Sequence, residues 1–187
     1  FYASCYGKYS YVMAVILGTG MGSGLILDNK LYHGARMGAG EIGHTSIDIY
    51  GRQCQCGSQG CGEAYLSGPS LARRYSELTG KNLKIRDIYN LYQKHEPKAQ
   101  ILFDESCEIM AQLFANAVNF LDLEAIILGG GVSNLDIWYN KVPKLMREAL
   151  FGPPREEIPV IKAKLGDSAG VFGAAYLALR EIGEMDF

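Results

Sequence analysis

The chain has 187 residues, of which 48% are hydrophobic and 20% are charged, so it is long enough for one domain with a substantial core. Its 18 Lys and Arg residues nearly balance its 20 Asp and Glu residues, which gives a net charge of −2. Without a basic run, this balance excludes an electrostatic footprint for nucleic acid or for an anionic membrane surface.

Strands are predicted first along the chain. Apolar residues at 11–17 predict a buried strand, and residues 23–27 predict a second. Asp28-Asn29-Lys30 predicts a turn into a short third strand that ends near Tyr32. Because the run at 11–17 is too short to cross a bilayer and lacks the flanks of a signal peptide, we expect a cytoplasmic protein.

Between the first two strands lies a glycine-rich segment, residues 18–24. Its glycines expose backbone N–H groups and let a polyanion approach, while Thr19 adds a hydroxyl donor. A plain hairpin turn is the alternative interpretation, because the segment matches neither the Walker nor the dinucleotide-binding fingerprint.

Residues 41–63 concentrate the metal-binding residue types of the chain. His44, Cys54, Cys56 and Cys61 supply one imidazole and three thiols, the ligand set of a closed tetrahedral zinc site. A disulfide is the alternative, although Cys54 and Cys56 are too close in sequence to pair easily with each other. Since four protein ligands leave no open position on the metal, the segment predicts a structural zinc ion.

Two carboxylates bracket this cluster. Glu41 lies three residues before His44, and Glu63 lies two residues after Cys61. A metal that fixes the cluster therefore also fixes both acids near each other. Two oriented carboxylates suit the recognition of hydroxyl groups.

Helices are predicted after the cysteine segment. Residues 71–79 and 85–92 have helical patterns. Apolar residues between 98 and 121 recur at spacings of three and four, which indicates an amphipathic helix that faces a core.

The remaining chain alternates strands and helices. A short strand after Glu124 leads into Gly129-Gly130-Gly131, followed by a helix that reaches Leu150 and is bent or restarted at Pro143. The triple glycine would lie at the carboxyl end of a strand, where open α/β sheets bind nucleotides. A strand at 158–163, a turn at 166–170 and a helix at 171–182 complete the chain.

This order predicts an α/β fold with a mixed sheet, in which an antiparallel meander continues into parallel strands flanked by helices. It is the order of one lobe of the actin-like or ribonuclease-H-like ATPase fold, here with a zinc-binding insertion. We expect residues 1–187 to form a single lobe.

The arrangement of Glu41, the four metal-ligand candidates and Glu63 resembles the repressor, open reading frame, kinase (ROK) family of sugar kinases and sugar-sensing repressors. The resemblance implies that His44 and the three cysteines hold zinc, while Glu41, His44 and Glu63 contact sugar hydroxyls. Two departures are Gly62, where the family usually has a bulky apolar residue, and Ser23, where many members have glycine.

The same resemblance assigns the glycine segments. Gly18, Thr19 and Gly20 match the second phosphate loop of the family, and Gly129, Gly130 and Gly131 match its adenosine loop, which implies ATP and Mg²⁺ as cofactors. The first phosphate loop, of the D-x-G-G-T type, and the general-base Asp of the family do not occur in this sequence. We therefore expect a C-terminal, large lobe whose N-terminal lobe and catalytic Asp lie upstream of Phe1.

Two classes of function follow from the resemblance. The first is one lobe of an ATP-dependent hexose kinase that phosphorylates a hexose or N-acetylhexosamine at O6, with the chain alone inactive. The second is the effector lobe of a sugar-sensing repressor without its helix-turn-helix. Retention of both glycine segments favours the kinase. In either case we expect a homodimer or higher oligomer, with no nucleic acid or membrane contacted through this lobe.

Overall fold

The computed structural model describes residues 7–152, 158–166 and 169–181. Five strands form one sheet in the order β3-β2-β1-β4-β5. β1, β2 and β3 are antiparallel neighbours, whereas β4 runs parallel to β1 and β5 runs parallel to β4. The strands are β1 (Val12–Leu17), β2 (Met21–Leu27), β3 (Lys30–Tyr32), β4 (Ala125–Gly129) and β5 (Val160–Lys162).

Six α-helices accompany the sheet in the described part of the chain. They are α1 (Glu63–Leu66), α2 (Gly68–Thr79), α3 (Ile85–Gln93), α4 (Pro97–Leu121), α5 (Ile137–Ala149) and α6 (Ala169–Glu181). Two 3₁₀ helices, Ile42–His44 and Gly131–Asn134, follow β3 and β4 respectively. The predicted mixed sheet with flanking helices is confirmed.

Side-chain alternation along β1 separates two apolar clusters. Met13, Val15 and Leu17 point into the main core, which α4 and α5 cover with residues such as Phe114 and Trp138. Val12 points to the opposite face, where a smaller cluster includes Ile127 of β4. The main core therefore lies on one face of the sheet, and the smaller cluster lies on the other.

Several boundaries differ from the sequence prediction. β2 begins at Met21, because Gly22 and Gly24 pair with Ile16 and Ala14 of β1, so the glycine turn is only three residues long. β5 is three residues long rather than six. α5 is continuous through Pro143, since Val142 and Met146 on either side of the proline are buried in the main core.

α2 and α4 start where side-chain caps satisfy their first N–H groups. Ser67 Oγ accepts from the backbone N–H of Ser70 at 3.3 Å, and the Glu96 carboxylate accepts from that of Ala99 at 2.7 Å. α2 thus begins at Gly68, three residues before its predicted start.

Among the described residues, no helix combines the length and the apolar character that crossing a bilayer requires. Asp167 and Ser168 of the predicted turn at 166–170 lie outside the described residues, as does Ile182 at the predicted end of the last helix.

Candidate functional site

The cysteine segment folds into a compact loop through its own backbone hydrogen bonds. Cys54 N donates to Ser58 O at 2.8 Å, and Gly57, whose φ is 94°, donates to Cys54 O at 3.1 Å. Isolated bridges then pair Gln53 with Gln59 and Ser46 with Cys61. These contacts turn the loop back on itself, so that residues distant in sequence face one another.

His44, Cys54, Cys56 and Cys61 converge, and their ligand atoms all lie within 4.8 Å of one another. Cys54 Sγ is 3.8 Å from His44 Nδ1, and Cys56 Sγ is 3.6 Å from Cys61 Sγ. A tetrahedral zinc ion with Zn–S bonds of about 2.3 Å separates its sulfur atoms by about 3.8 Å. The donor set and its spacing therefore fit zinc, and His44 Nδ1 is the ring nitrogen that would face such an ion.

The thiols of this cluster differ in acidity. A hydrogen bond from the Ser58 backbone, aided by neighbouring thiols, lowers the pKa of Cys56 to about 7. Burial, followed by the adjacent thiols, raises the pKa of Cys61 to about 12. Cys56 is therefore the stronger acid of these two thiols, and a metal ion bound here would displace the proton of Cys61.

The segment that carries Glu41 and His44 packs closely against β2. Gly40 O accepts both the N–H of Ser23, at 3.0 Å, and its hydroxyl, at 2.5 Å. A Cβ on Gly43 would lie 2.0 Å from Met21 O, so only glycine permits this approach. Ser23 thus anchors the segment that carries Glu41 and His44 rather than lining a phosphate loop. Glu41 itself remains exposed.

Glu63, the first residue of α1, reaches the same strand from the other side. Its Oε2 accepts the backbone N–H of Met21 at 2.8 Å. Gly20 lies so close that a Cβ there would be 2.8 Å from the same oxygen. The peptide groups of Met21 therefore contact Gly43 on one side and Glu63 on the other, which links both predicted sugar-binding segments to β2.

The two glycine segments meet at the carboxyl ends of β1 and β4. Gly130 has a φ of 86°, and a Cβ on it would lie 2.6 Å from Leu17 O. Gly68 N donates to Gly18 O at 2.8 Å, which joins the start of α2 to the first turn. Gly131, by contrast, has open space where a Cβ would stand. The fold requires Gly130 for packing, whereas Gly131 faces outward.

A cavity of about 230 Å³ opens beside the first glycine turn. It lies between Thr19, the cysteine segment, Glu63 and the start of α2, and Arg73 also lines it. The exposed hydroxyl of Thr19 and the carboxylate of Glu63 thus line one space. Hydroxyl groups of one ligand near Glu63 and a phosphate group near Thr19 would then lie close to each other in this cavity.

Sequence reasoning missed the residues that hold α1 in place. Arg74 is 4% exposed, and its guanidinium donates to Tyr65 O at 3.0 Å, Ser106 Oγ at 2.8 Å and Glu105 Oε2 at 3.0 Å. Tyr65 OH in turn accepts the N–H of Arg52 at 3.0 Å. Arg74 therefore ties α1, which carries Glu63, to α2 and α4. Only its position on the inner face of a predicted helix could have suggested burial.

Residues 3–181 match the ROK family. The curated N-acetyl-D-glucosamine kinase of Photobacterium profundum is 36% identical over 181 residues, which cover 91% of this chain and 59% of that protein. The chain thus spans about three fifths of the length of such relatives.

Solved structures of ROK family proteins also match most of this chain and only part of their own length. The ROK family glucokinase from Streptomyces griseus, in complex with glucose and AMPPNP, is 32% identical with a TM-score of 0.81, over 90% of this chain and 60% of that chain. A ROK family transcriptional regulator shares the fold at 23% identity and a TM-score of 0.71, over 82% of this chain and 41% of that chain. The predicted lobe of the actin-like ATPase fold is confirmed.

Proposed function

Because the chain belongs to the ROK family, we propose that it is the C-terminal lobe of an ATP-dependent hexose kinase that transfers the γ-phosphoryl group of MgATP to O6 of a hexose or N-acetylhexosamine. The contact between Glu63 Oε2 and Met21 N–H carries the proposal, since it holds the carboxylate that we assign to sugar hydroxyls directly beside the first glycine turn. Kinase activity requires this adjacency, because the donor phosphate must lie in line with the acceptor hydroxyl.

The sugar side of the site consists of Glu41, His44 and Glu63. Because His44 Nδ1 faces Cys54, its Nε2 is the nitrogen left for a substrate hydroxyl. Glu63 uses Oε2 for Met21, which leaves Oε1 to accept from the sugar. A zinc ion held by His44, Cys54, Cys56 and Cys61 would supply structural closure rather than Lewis acidity, because its four ligands complete a tetrahedron.

The nucleotide side consists of the two glycine segments. Thr19 and the backbone of Gly18 and Gly20 would cradle phosphate groups, and Gly129-Gly130-Gly131 would lie against the adenosine, with Mg²⁺ bound to the phosphates. The general-base Asp and the first phosphate loop would come from an N-terminal lobe upstream of Phe1. On this assignment the chain alone does not catalyse phosphoryl transfer.

The effector lobe of a sugar-sensing repressor is the second candidate, and the regulator that shares the fold supports it. Such a lobe needs the metal cluster and the sugar-binding acids but no nucleotide site. The exposed Thr19 and the open side of Gly131 favour the kinase, because both are accessible to a nucleotide.

A thermal-shift panel separates the two candidates. The protein extended upstream to include the coding sequence before Phe1 is tested with glucose, N-acetylglucosamine, N-acetylmannosamine and fructose, each with and without MgAMPPNP. We expect one sugar to raise the Tm and the nucleotide to raise it further. A response to sugar without any response to nucleotide would identify the sensor, and no response to any sugar would overturn both assignments.

A further inference from the structure

A side chain at position 20 would meet the carboxylate of Glu63 rather than open space. A Cβ built on Gly20 lies 2.8 Å from Glu63 Oε2 and 3.7 Å from its Cδ. Gly18, two residues earlier in the same turn, has no heavy atom within 4 Å of such a Cβ. Neither glycine has a positive φ, so neither is required for backbone conformation. Of the two glycines in this turn, only Gly20 therefore has a structural reason to lack a side chain.

We propose that Gly20 is a positioning residue for Glu63, and that it couples the sugar-binding side of the site to the turn assigned to phosphate. Without a Cβ at position 20, the Glu63 carboxylate can lie against the turn and accept the N–H of Met21. This inference rests on the proposed function, in which Glu63 binds a sugar hydroxyl.

The contact fixes Glu63 from outside its own helix. Glu63 is the first residue of the four-residue helix α1, and the backbone hydrogen bonds of that helix do not orient its side chain. The hydrogen bond from Met21 crosses 42 residues of sequence and has an ionised acceptor, which makes it one of the stronger kinds. One carboxylate oxygen of Glu63 is thereby committed to the protein, which restrains the orientation of the other on a residue that lines the cavity.

A methyl group at position 20 would displace the carboxylate rather than unfold the turn. The atom that it meets is the far end of a flexible side chain, so Glu63 can move away without a shift of the backbone. Met21 N–H then loses its acceptor, and the remaining carboxylate oxygen loses its direction. We expect Gly20→Ala to weaken sugar binding, although its position in the glycine turn alone would suggest an effect on ATP.

The test compares Gly20→Ala with Gly18→Ala as the matched control. Amide hydrogen exchange, followed by NMR on this chain, should show the Met21 N–H exchanging about tenfold faster or more in Gly20→Ala, with no change in Gly18→Ala. Equal Met21 exchange in both variants would overturn the proposal. Metal content, measured in parallel, should be the same in all proteins.

A double-mutant cycle keeps the test decisive if Gly20→Ala disturbs the turn in some other way. Glu63→Ala removes the acceptor directly and should also accelerate Met21 exchange, and adding Gly20→Ala to it should have no further effect. Additive effects would contradict the proposal, because they would mean that Gly20 does not act through Glu63.

Sugar affinity completes the test in the protein extended upstream, without nucleotide. Gly20→Ala should weaken sugar binding about tenfold, and Gly24→Ala, a change within β2 where a Cβ meets open space, should leave it unchanged. If the unmodified extended protein binds no sugar, the proposed function fails, and the Met21 exchange data alone then decide whether Gly20 positions Glu63. Unchanged sugar affinity in Gly20→Ala, with sugar binding intact in the unmodified protein, would overturn the coupling.

Discussion

At the scale of single residues, the contacts of Ser23 differ from those that its place in the glycine-rich segment predicts. It stands in the glycine-rich segment, at a position where many family members have glycine, yet its hydroxyl and N–H both bind Gly40 O. It fixes the backbone immediately before Glu41. The departure from the family pattern therefore acts on the segment that carries Glu41.

Replacing Glu41 or Glu63 should weaken sugar binding without removing the metal. Glu63→Gln keeps an oxygen that can accept from Met21 N–H, so the loss is confined to the charge offered to a sugar hydroxyl. Losing one charge-assisted hydrogen bond costs about 1.5–3 kcal/mol, or about 10-fold to 100-fold in affinity. Glu41→Gln should act similarly. Calorimetric titration of sugar into the extended protein measures the effect.

Glu108→Gln is the matched control for these two substitutions, because Glu108 is an exposed acid on α4. Its sugar affinity should equal that of the unmodified protein. Unchanged affinity in Glu41→Gln and Glu63→Gln would refute their assigned roles, and loss of zinc in either variant would show that the effect is indirect.

Cys56→Ser should lower both the zinc content and the Tm, because metal binding is coupled to folding of the loop. Elemental analysis and thermal unfolding measure the two effects. Cys107→Ser is the control for zinc content only, since Cys107 is buried in the main core and a hydroxyl there would itself lower the Tm. A freshly purified, reduced and folded sample without metal would contradict the assignment.

Zinc affinity should also fall as the pH is lowered. The pKa of Cys61 is raised to about 12, so the metal displaces its proton throughout the neutral range. The pKa of Cys56 is lowered to about 7, so this thiol also holds a proton below that pH. The decline should therefore steepen below about pH 7, by about a further tenfold per pH unit. Competition with a chromogenic chelator measures it, and a pH-independent affinity would contradict thiolate ligation.

At the scale of elements, the junction between α1 and α4 explains the second departure from the family. A Cβ on Gly62 would lie 2.6 Å from Leu113 Cδ2, so the leucine occupies the space that a bulky residue at position 62 would need. Leu113 is fully buried, which leaves it little room to move. Glycine at position 62 and leucine at position 113 are therefore complementary.

Gly62→Leu should destabilise the chain by about 1–3 kcal/mol, the usual cost of overpacking a core. Adding Leu113→Ala, which alone costs about 2–5 kcal/mol, should recover part of that loss, because the new side chain fills the cavity. Denaturant unfolding of the four proteins measures the coupling. Additive losses would mean that the two positions do not share space.

The elements were predictable where the pattern is local. The periodic apolar residues of α4 and the apolar run of β1 gave correct element types, because each buries one continuous stripe or run. Element starts were less predictable. Met21 begins β2 because glycines accept strand geometry when a partner strand is present, and Gly68 begins α2 because Ser67 caps it.

Within the site, the four metal-ligand candidates could be predicted because they lie close together in sequence. The contact between Glu63 and Met21 could not, since it uses a backbone N–H that any residue would offer. The buried Arg74 also escaped prediction, because its partner Ser106 lies 32 residues further along the chain. Long-range contacts of single polar groups leave no local pattern.

At the scale of the whole molecule, α6 presents apolar side chains to solvent. Val171 is 74% exposed and Phe172 is 56% exposed, and Leu177 and Leu179 are also exposed. Exposed apolar residues of this kind favour association with another surface. Light scattering should therefore detect a dimer or higher oligomer of this chain.

Replacing Val171 and Phe172 together by serine should lower the mass measured for that oligomer. Phe120→Ser is the control, because Phe120 is 87% exposed but lies at the end of α4. A monomeric unmodified chain, or an oligomer equally sensitive to Phe120→Ser, would contradict a role for α6.

The most direct test of the kinase assignment is sugar-dependent ADP release with MgATP, measured on this chain and on the protein extended upstream. Positioning of the phosphoryl group needs both phosphate loops, and general-base assistance contributes about 10²-fold to 10⁴-fold in rate. We therefore predict turnover by the extended protein and none by this chain. Turnover by this chain alone would contradict the account, and an extended protein that binds sugar but releases no ADP would assign the lobe to a sugar-sensing repressor.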